Sequence, residues 1–335
     1  MSGSIIIAGE KIARGERRKL ALTVAKLYDF TDMKMPVVVQ RGREDGPTLF
    51  VSAAIHGDEI NGLDIVRRLL KHPALGAMHG TLIAIPIVNV FGFNDKSRYL
   101  PDRRDLNRSF PGEENGSLAS QIAYIFRTEI VAQCTHGIDL HTGAIHRRNL
   151  PQIRADFSFP ENLRLARSFG VPVILDASPR DGSLREMVSE QKIPMLLYEA
   201  GTALRFDQNA SAIGVTGILN VMRTIGMLPE PPMLGELIDP LIARSSRWVR
   251  SPISGIFITI KHLGDHVEKG DRLGFITNPF GDHETDIIAS HGGIIIGHSI
   301  LPLANEGDAL FHIARPEDDK TAEEELYPYI DPRLQ

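Results

Sequence analysis

Three short, almost wholly apolar runs constrain this chain more than any other feature: residues 48–54 (TLFVSAA), 80–88 (GTLIAIPIV) and 193–198 (IPMLLY). Apolar on both faces, such runs read as strands covered by helices on either side, the pattern of a sheet inside an α/β layer. The stretches between them have helical spacing. Residues 60–71 place Ile60, Leu63, Val66, Leu69 and Leu70 on one stripe, and 117–131, 161–169 and 208–225 also read as helices. Further strands are expected over 36–40, 137–140 and 171–175. Strands alternating with helices predict an α/β fold, a mixed β-sheet flanked by helices. In such sheets ligands bind beyond the carboxyl ends of the strands. His56, His141 and Glu199 each follow closely on a predicted strand.

The pattern changes after residue 228. Pro229, Pro231, Pro232 and Pro240 mark a linker, placed at 229–245. From 246 to 316 the chain reads as short strands punctuated by glycine, with an internal repeat. Residues 251–257 (SPISGIF) recur as 289–295 (ASHGGII), and 270–276 (GDRLGFI) recur as 307–313 (GDALFHI). Two similar halves predict a small β domain with a pseudo-twofold. The expected division is an α/β domain over 1–228 (with N-terminal strands over 1–40), the linker at 229–245, the β domain over 246–316 and an acidic tail over 317–335.

Chemistry is narrowed by what is scarce. The 335 residues include one cysteine, Cys134, and 12 histidines, so a metal site would have to be built from imidazole and carboxylate. His56-x-x-Glu59 sits at a strand-to-helix turn, where both side chains can reach one ion. His141 is the natural third ligand, and three protein ligands leave a fourth position for water, as in catalytic zinc sites. Asp105-Leu106-Asn107-Arg108 lies in a long polar loop over 89–116, a length that usually signals function. There Arg108 offers a planar fork for a carboxylate and Asn107 a neutral donor, with Arg98, Arg103 and Arg104 nearby. Glu199 ends an apolar strand, a partly desolvated position suited to a general base. Arg147, Arg148 and Asn149 follow His141 closely and are candidates for shaping a substrate pocket. His262 and His266 fall in a glycine-containing hairpin and read as surface.

Lys and Arg total 37 against 42 Asp and Glu, a net charge of −5. That balance lacks the footprint of a nucleic-acid binder and the basic patch that anionic membranes attract. No run reaches the roughly 18 apolar residues of a membrane span, and no secretory signal pattern is present. A cytoplasmic protein is expected, with a symmetric homo-oligomer as the default assembly.

HGDE (56–59), DLNRSFPG (105–112), DLHTG (139–143) and YEAG (198–201) occur in the order and approximate spacing of the succinylglutamate desuccinylase/aspartoacylase family. The chain resembles that family, part of the zinc carboxypeptidase superfamily, over about residues 20–230. Its C-terminal segment resembles the biotinyl/lipoyl-like barrel appended in many members. The resemblance implies a zinc-carboxypeptidase-like fold with one Zn2+ held by His56, Glu59 and His141. It implies Glu199 as the catalytic glutamate and Asn107 and Arg108 as the grip on the substrate carboxylate. Arg98 would polarise the scissile carbonyl, with Arg103 and Arg104 competing for that role; Arg148 is expected to contact substrate from its position after His141, not from the resemblance. The implied reaction removes a succinyl, acetyl or similar acyl group from a small N-acyl amino acid or related amine through a metal-activated water. Two other readings are a zinc carboxypeptidase acting on peptide C-termini and a metal-containing regulatory module without turnover. Carrier domains present a lysine on the hairpin between their halves. The corresponding stretch, 277–284 (TNPFGDHE), has none, so neither biotin nor lipoate is expected, and the loop at His283 is expected to approach the site.

Overall fold

The computed structural model describes residues 5–229 and 239–317. A small hairpin of β1 (Ile5–Ile7) and β2 (Glu10–Ile12) precedes the main sheet. That sheet begins with β3 (Arg17–Lys26), β4 (Asp32–Arg41), β5 (Thr48–Ala53) and β6 (Thr81–Ile85). It continues with β7 (His136–Gly143), β8 (Arg147–Ala155), β9 (Val173–Asp176) and β10 (Met195–Thr202). Across the sheet the order is β3-β4-β6-β5-β7-β10-β8-β9. The central β6, β5, β7 and β10 are parallel, whereas β4 pairs antiparallel with β6 and β8 antiparallel with β10.

Helices cover both faces, which is why the central strands are apolar throughout. On one face Val51, Leu140 and Tyr198 pack against Ile65, Phe169 and Ile218 from helices Asn61–Leu69, Pro160–Phe169 and Gln208–Thr224. On the other, Phe50, Ile83 and Ile85 pack against Ile122, Leu184 and Met187 from helices Leu118–Ile125 and Leu184–Glu190. Side chains that alternate along a strand thus enter two different cores. Among the described residues, no helix is long and apolar enough to cross a membrane.

The C-terminal part contains β11 (Leu241–Arg250), β12 (Gly255–Thr259), β13 (His266–Val267) and β14 (Arg272–Thr277). It ends with β15 (Glu284–Ile288), β16 (Gly293–Ser299), β17 (Leu303–Ala304) and β18 (Ala309–Pro316). These form two antiparallel arrays, β13-β16-β18-β11 and β15-β14-β12-β17, around a shared core that includes Val249, Phe257, Ile276, Ile295 and Phe311. The sequence repeat is visible in the structure: β12 and β14 pair in one array, and β16 and β18 pair in the other.

The barrel differs from the expected self-contained unit over 246–316. β11 runs parallel to β9, and β16 pairs with β8 as well as with β18. The strands β8-β9-β11-β18-β16 therefore close into a five-stranded ring, two of whose strands come from the α/β part. Sheet edges carry unpaired backbone groups that need a partner, and closure supplies one. Leu150, Val173 and Leu175 join the C-terminal core for the same reason. β11 starts at Leu241, inside the stretch read as linker; residues 230–238 and the tail from 318 onward lie outside the described residues.

Other elements depart from the sequence reading. The loop over 89–116 contains a short helix, Val90–Asp95, and a 3-10 turn, Leu106–Arg108. Asn89 caps that helix by accepting from the Gly92 amide at 2.8 Å. β8 was not expected as a strand, because RRNLPQIRA is polar and contains Pro151.

Candidate active site

Topology assembles the site. β10, β7 and β5 are adjacent and parallel, so their carboxyl ends lie side by side. Register places Glu199 directly beside His141 and Ala53 beside Leu140. The turn after β5 then carries His56 and Glu59. A Cβ on Gly57 would lie 1.9 Å from the backbone carbonyl carbon of Gly92, so only glycine lets this turn press onto the 90–95 helix.

His56, Glu59 and His141 are all buried, and their ligand atoms lie within 4.8 Å of one another. His56 Nδ1 is 2.8 Å from Glu59 Oε1, and His141 Nδ1 is 2.8 Å from Glu59 Oε2. Each ring is backed on its other nitrogen by a carboxylate. His141 Nε2 is 2.7 Å from Asp139 Oδ2, and His56 Nε2 is 3.3 Å from Asp105 Oδ1. Asp139 is itself held by the Ser52 hydroxyl at 2.7 Å. A carboxylate accepting from Nε2–H fixes the tautomer that leaves Nδ1 free to ligate. Two convergent Nδ1 atoms and one carboxylate, with such an acceptor behind His141 and the Asp105 carboxylate at ion-pair distance from His56, fit a divalent ion of the zinc type.

The electrostatics agree. Burial disfavours charge on His141, but Asp139 and Glu59 outweigh it and push the imidazole up to about 10. Burial likewise opposes charge on His56, and Glu59 and Asp105 raise it. Burial would raise the Glu59 carboxyl, yet the two histidines hold it well below the usual range. The site is thus a dense, mutually stabilised set of charges into which a cation would substitute for protons.

Residues 45–225 match the Succinylglutamate desuccinylase/Aspartoacylase catalytic domain. The chain belongs to this family. It is 25% identical over 294 residues to an N-alpha-acetyl-L-2,4-diaminobutyric acid deacetylase of Halomonas elongata, spanning 83% of this chain and 84% of that one. Among solved structures it is similar to the product-bound ectoine utilization protein EutE (DoeB) of Ruegeria pomeroyi, with TM-score 0.81, 25% identity and coverage of 90% and 96% of the two chains. A succinylglutamate desuccinylase from Silicibacter sp. TM1040 has the same fold, with TM-score 0.80, 23% identity and coverage of 90% and 95%.

In this family member the metal-type triad opens into a cavity of about 710 Å³. Glu199 lines it with its carboxylate ion-paired to Arg154, which projects from the neighbouring β8. Arg98 also lines it, donating to Asp105 Oδ2 at 2.8 Å and lying 3.4 Å from Glu59 Oε1. Arg103 and Arg104 are exposed, so of the three competing arginines the fold brings Arg98 to the triad. Asn107 is buried; its Oδ1 accepts from the Leu184 amide at 2.9 Å, which fixes the side chain at the cavity wall. Arg108 lines the same wall and donates to the Asn107 carbonyl oxygen.

Arg148 departs from expectation. Its guanidinium pairs with Asp207 at 3.3 Å, the residue that caps helix Gln208–Thr224, and it is Arg147 that lines the cavity. The turn at His283 is exposed and does not line the cavity; Trp248 of β11 does. Sequence reading also missed Asp139, Arg154, Arg180 and Arg185, the last three all cavity-lining. Asp139 was findable, since residues two apart on a strand share a face and Asp139-x-His141 is such a pair. Arg154 was not, because its partner Glu199 is 45 positions away and only the β8–β10 register joins them.

Proposed function

We propose that this protein is a metal-dependent amidohydrolase that removes an acyl group from a small N-acyl amino acid. What carries the reading is the placement of Glu199 beside a buried His-Glu-His triad in one cavity. The match to the family and to a deacetylase of N-acetylated diaminobutyrate supports it. A zinc ion held by His56, Glu59 and His141 would supply a polarised water of lowered pKa and a Lewis acid.

The chain's own residues do the rest. Glu199 accepts the proton of the attacking water and returns it to the departing amine. Arg154 keeps that carboxylate pointed into the cavity. Arg98, anchored by Asp105, presents a fixed positive charge to the developing oxyanion, where preorganised charge acts most strongly. Arg108 and the Asn107 amide hold the amino-acid carboxylate, so binding remote from the scissile bond sets orientation. Trp248 on β11 walls the cavity, which favours a small substrate over a peptide. The C-terminal arrays read as a biotinyl/lipoyl-like scaffold serving as wall rather than carrier.

The direct test is a hydrolysis screen of zinc-loaded protein against N-acetyl, N-succinyl and N-formyl amino acids with acidic, basic and neutral side chains. Release of free amine from at least one group is expected; none would sink the reading. The intact mass of the same protein should equal that of the unmodified sequence.

The raised histidines predict how metal binding depends on pH. A group whose pKa is raised stays protonated up to that value, and ligation requires the neutral ring. With His141 at about 10, uptake of each ion must displace at least one proton throughout the neutral range. Apparent affinity should therefore rise roughly tenfold per pH unit between about pH 6 and 8. Competition with a chromophoric chelator at several pH values measures this, and a flat profile would contradict it.

A further inference from the structure

Most of the cavity's arginines are already satisfied. Arg98 pairs with Asp105 and Glu59, Arg154 with Glu199, and Arg185 donates to the carbonyl oxygens of Ala177 and Ser178. Arg147 and Arg180 are different: among the described residues, neither side chain makes a hydrogen bond or an ion pair, and of the two only Arg147 is stacked on an aromatic ring. The Arg147 guanidinium carbon lies 4.8 Å from the centroid of the Trp248 ring. His312, only 3% exposed, stacks on the same indole at 4.5 Å and 8°, leaving the other face for the arginine. His312 Nε2 is in turn 2.8 Å from the Ser246 hydroxyl. A stack of His312, Trp248 and Arg147 therefore holds a half-buried planar cation at the cavity wall with no direct ion pair among the described residues.

Burial lowers the affinity of Arg147 for the proton, and the charges acting on it are Arg250 and Asp308, both from the C-terminal part. Arg180, which also lines the cavity, is acted on by Arg154, Arg108, Glu199 and Arg98. Both Arg147 and Arg180 act on His312, so the cavity wall carries several cations, of which Arg147 is the one set on an aromatic face. A partly desolvated, unpaired cation is costly unless a ligand neutralises it. A guanidinium pre-oriented on an aromatic face suits a carboxylate, which it can bind through two parallel hydrogen bonds.

We propose that Arg147, positioned by Trp248, is a specificity-determining residue that binds a second carboxylate of the substrate, distinct from the one held at Arg108. This rests on the amidohydrolase reading above. The second carboxylate can belong to a dicarboxylic acyl group or to an acidic amino-acid side chain. Both present the same chemistry to Arg147.

The test uses full-length, zinc-loaded protein carrying Glu199→Gln, so that binding is read without turnover. Calorimetry compares N-acetylalanine with N-succinylalanine, which adds a carboxylate on the acyl side, and with N-acetylaspartate, which adds one on the amino-acid side. At least one dicarboxylate should bind more tightly than N-acetylalanine. Adding Arg147→Ala should cut that preference about 10–100-fold, and Arg147→Lys should give an intermediate loss because the charge remains without the fork. The pair that loses its preference identifies the source of the carboxylate. Equal weakening of all three ligands, an unchanged preference, or no preference in the parent protein would each overturn the proposal. A wild-type protein that releases no amine from any compound of the wider screen above would overturn the amidohydrolase reading instead, which separates the two failures.

Discussion

Glu199→Gln should lower kcat about 10²–10⁴-fold, the usual contribution of a positioned general base. Gln has nearly the same shape as Glu but cannot accept the proton of the attacking water. Bound metal should stay at the wild-type level, because the group able to hold an ion is His56, Glu59 and His141 and does not include Glu199. KM should change far less than kcat, since the lost interaction is made mainly in the transition state. The Gln side chain also loses its charge pairing with Arg154, so Arg154→Met serves as the companion variant. It leaves the base in place but unanchored, and a smaller fall in kcat than for Glu199→Gln is expected. Steady-state kinetics with metal analysis on the same samples reads both. Hydrolysis unchanged in Glu199→Gln would remove Glu199 from the mechanism.

His141→Ala should abolish both metal retention and hydrolysis. It deletes one of three donors and leaves Glu59 and Asp139, both buried, facing a hole where an imidazole stood. An uncompensated buried carboxylate costs about 3–5 kcal/mol, so the variant should also melt at a lower temperature. Asp139→Asn separates ligation from folding. It keeps the His141 ring and the volume of Asp139 but weakens the acceptor at Nε2, and metal affinity should fall about 10–100-fold. Elemental analysis, chelator competition and thermal melts distinguish these outcomes. A His141→Ala protein with a full complement of metal would refute the triad.

Much of the α/β part was legible from the chain. The runs at 48–54, 80–88 and 193–198 became β5, β6 and β10, because strands covered on both faces must be apolar at every position. Helices Asn61–Leu69, Pro160–Phe169 and Gln208–Thr224 followed from the spacing of their apolar residues. β8 was illegible for a physical reason. One of its faces looks into the cavity, so Arg154 and its neighbours are polar where a core strand would be apolar. Pro151 lacks a backbone N–H and further masked the strand. The short helix Val90–Asp95 escaped because it is held by a cap from Asn89 and by close packing at Gly92, not by an amphipathic stripe.

The triad itself was fixed by residue type and by position at strand ends, both of which are local properties of the sequence. With a single cysteine, two histidines and a glutamate after predicted strands left few other ways to build a metal site. Tertiary structure alone decided what surrounds it. Strand register put Arg154 on Glu199, a turn of the polypeptide put Asp105 behind His56, and closure of the five-stranded ring brought Trp248 against Arg147. Which of two adjacent arginines faces the cavity also depended on register: Arg147 lines it while Arg148 pairs with Asp207. Spacing along the chain encodes which residues can share an element. Contacts between strands far apart in sequence depend on how edges pair, and that is settled only when the whole sheet closes.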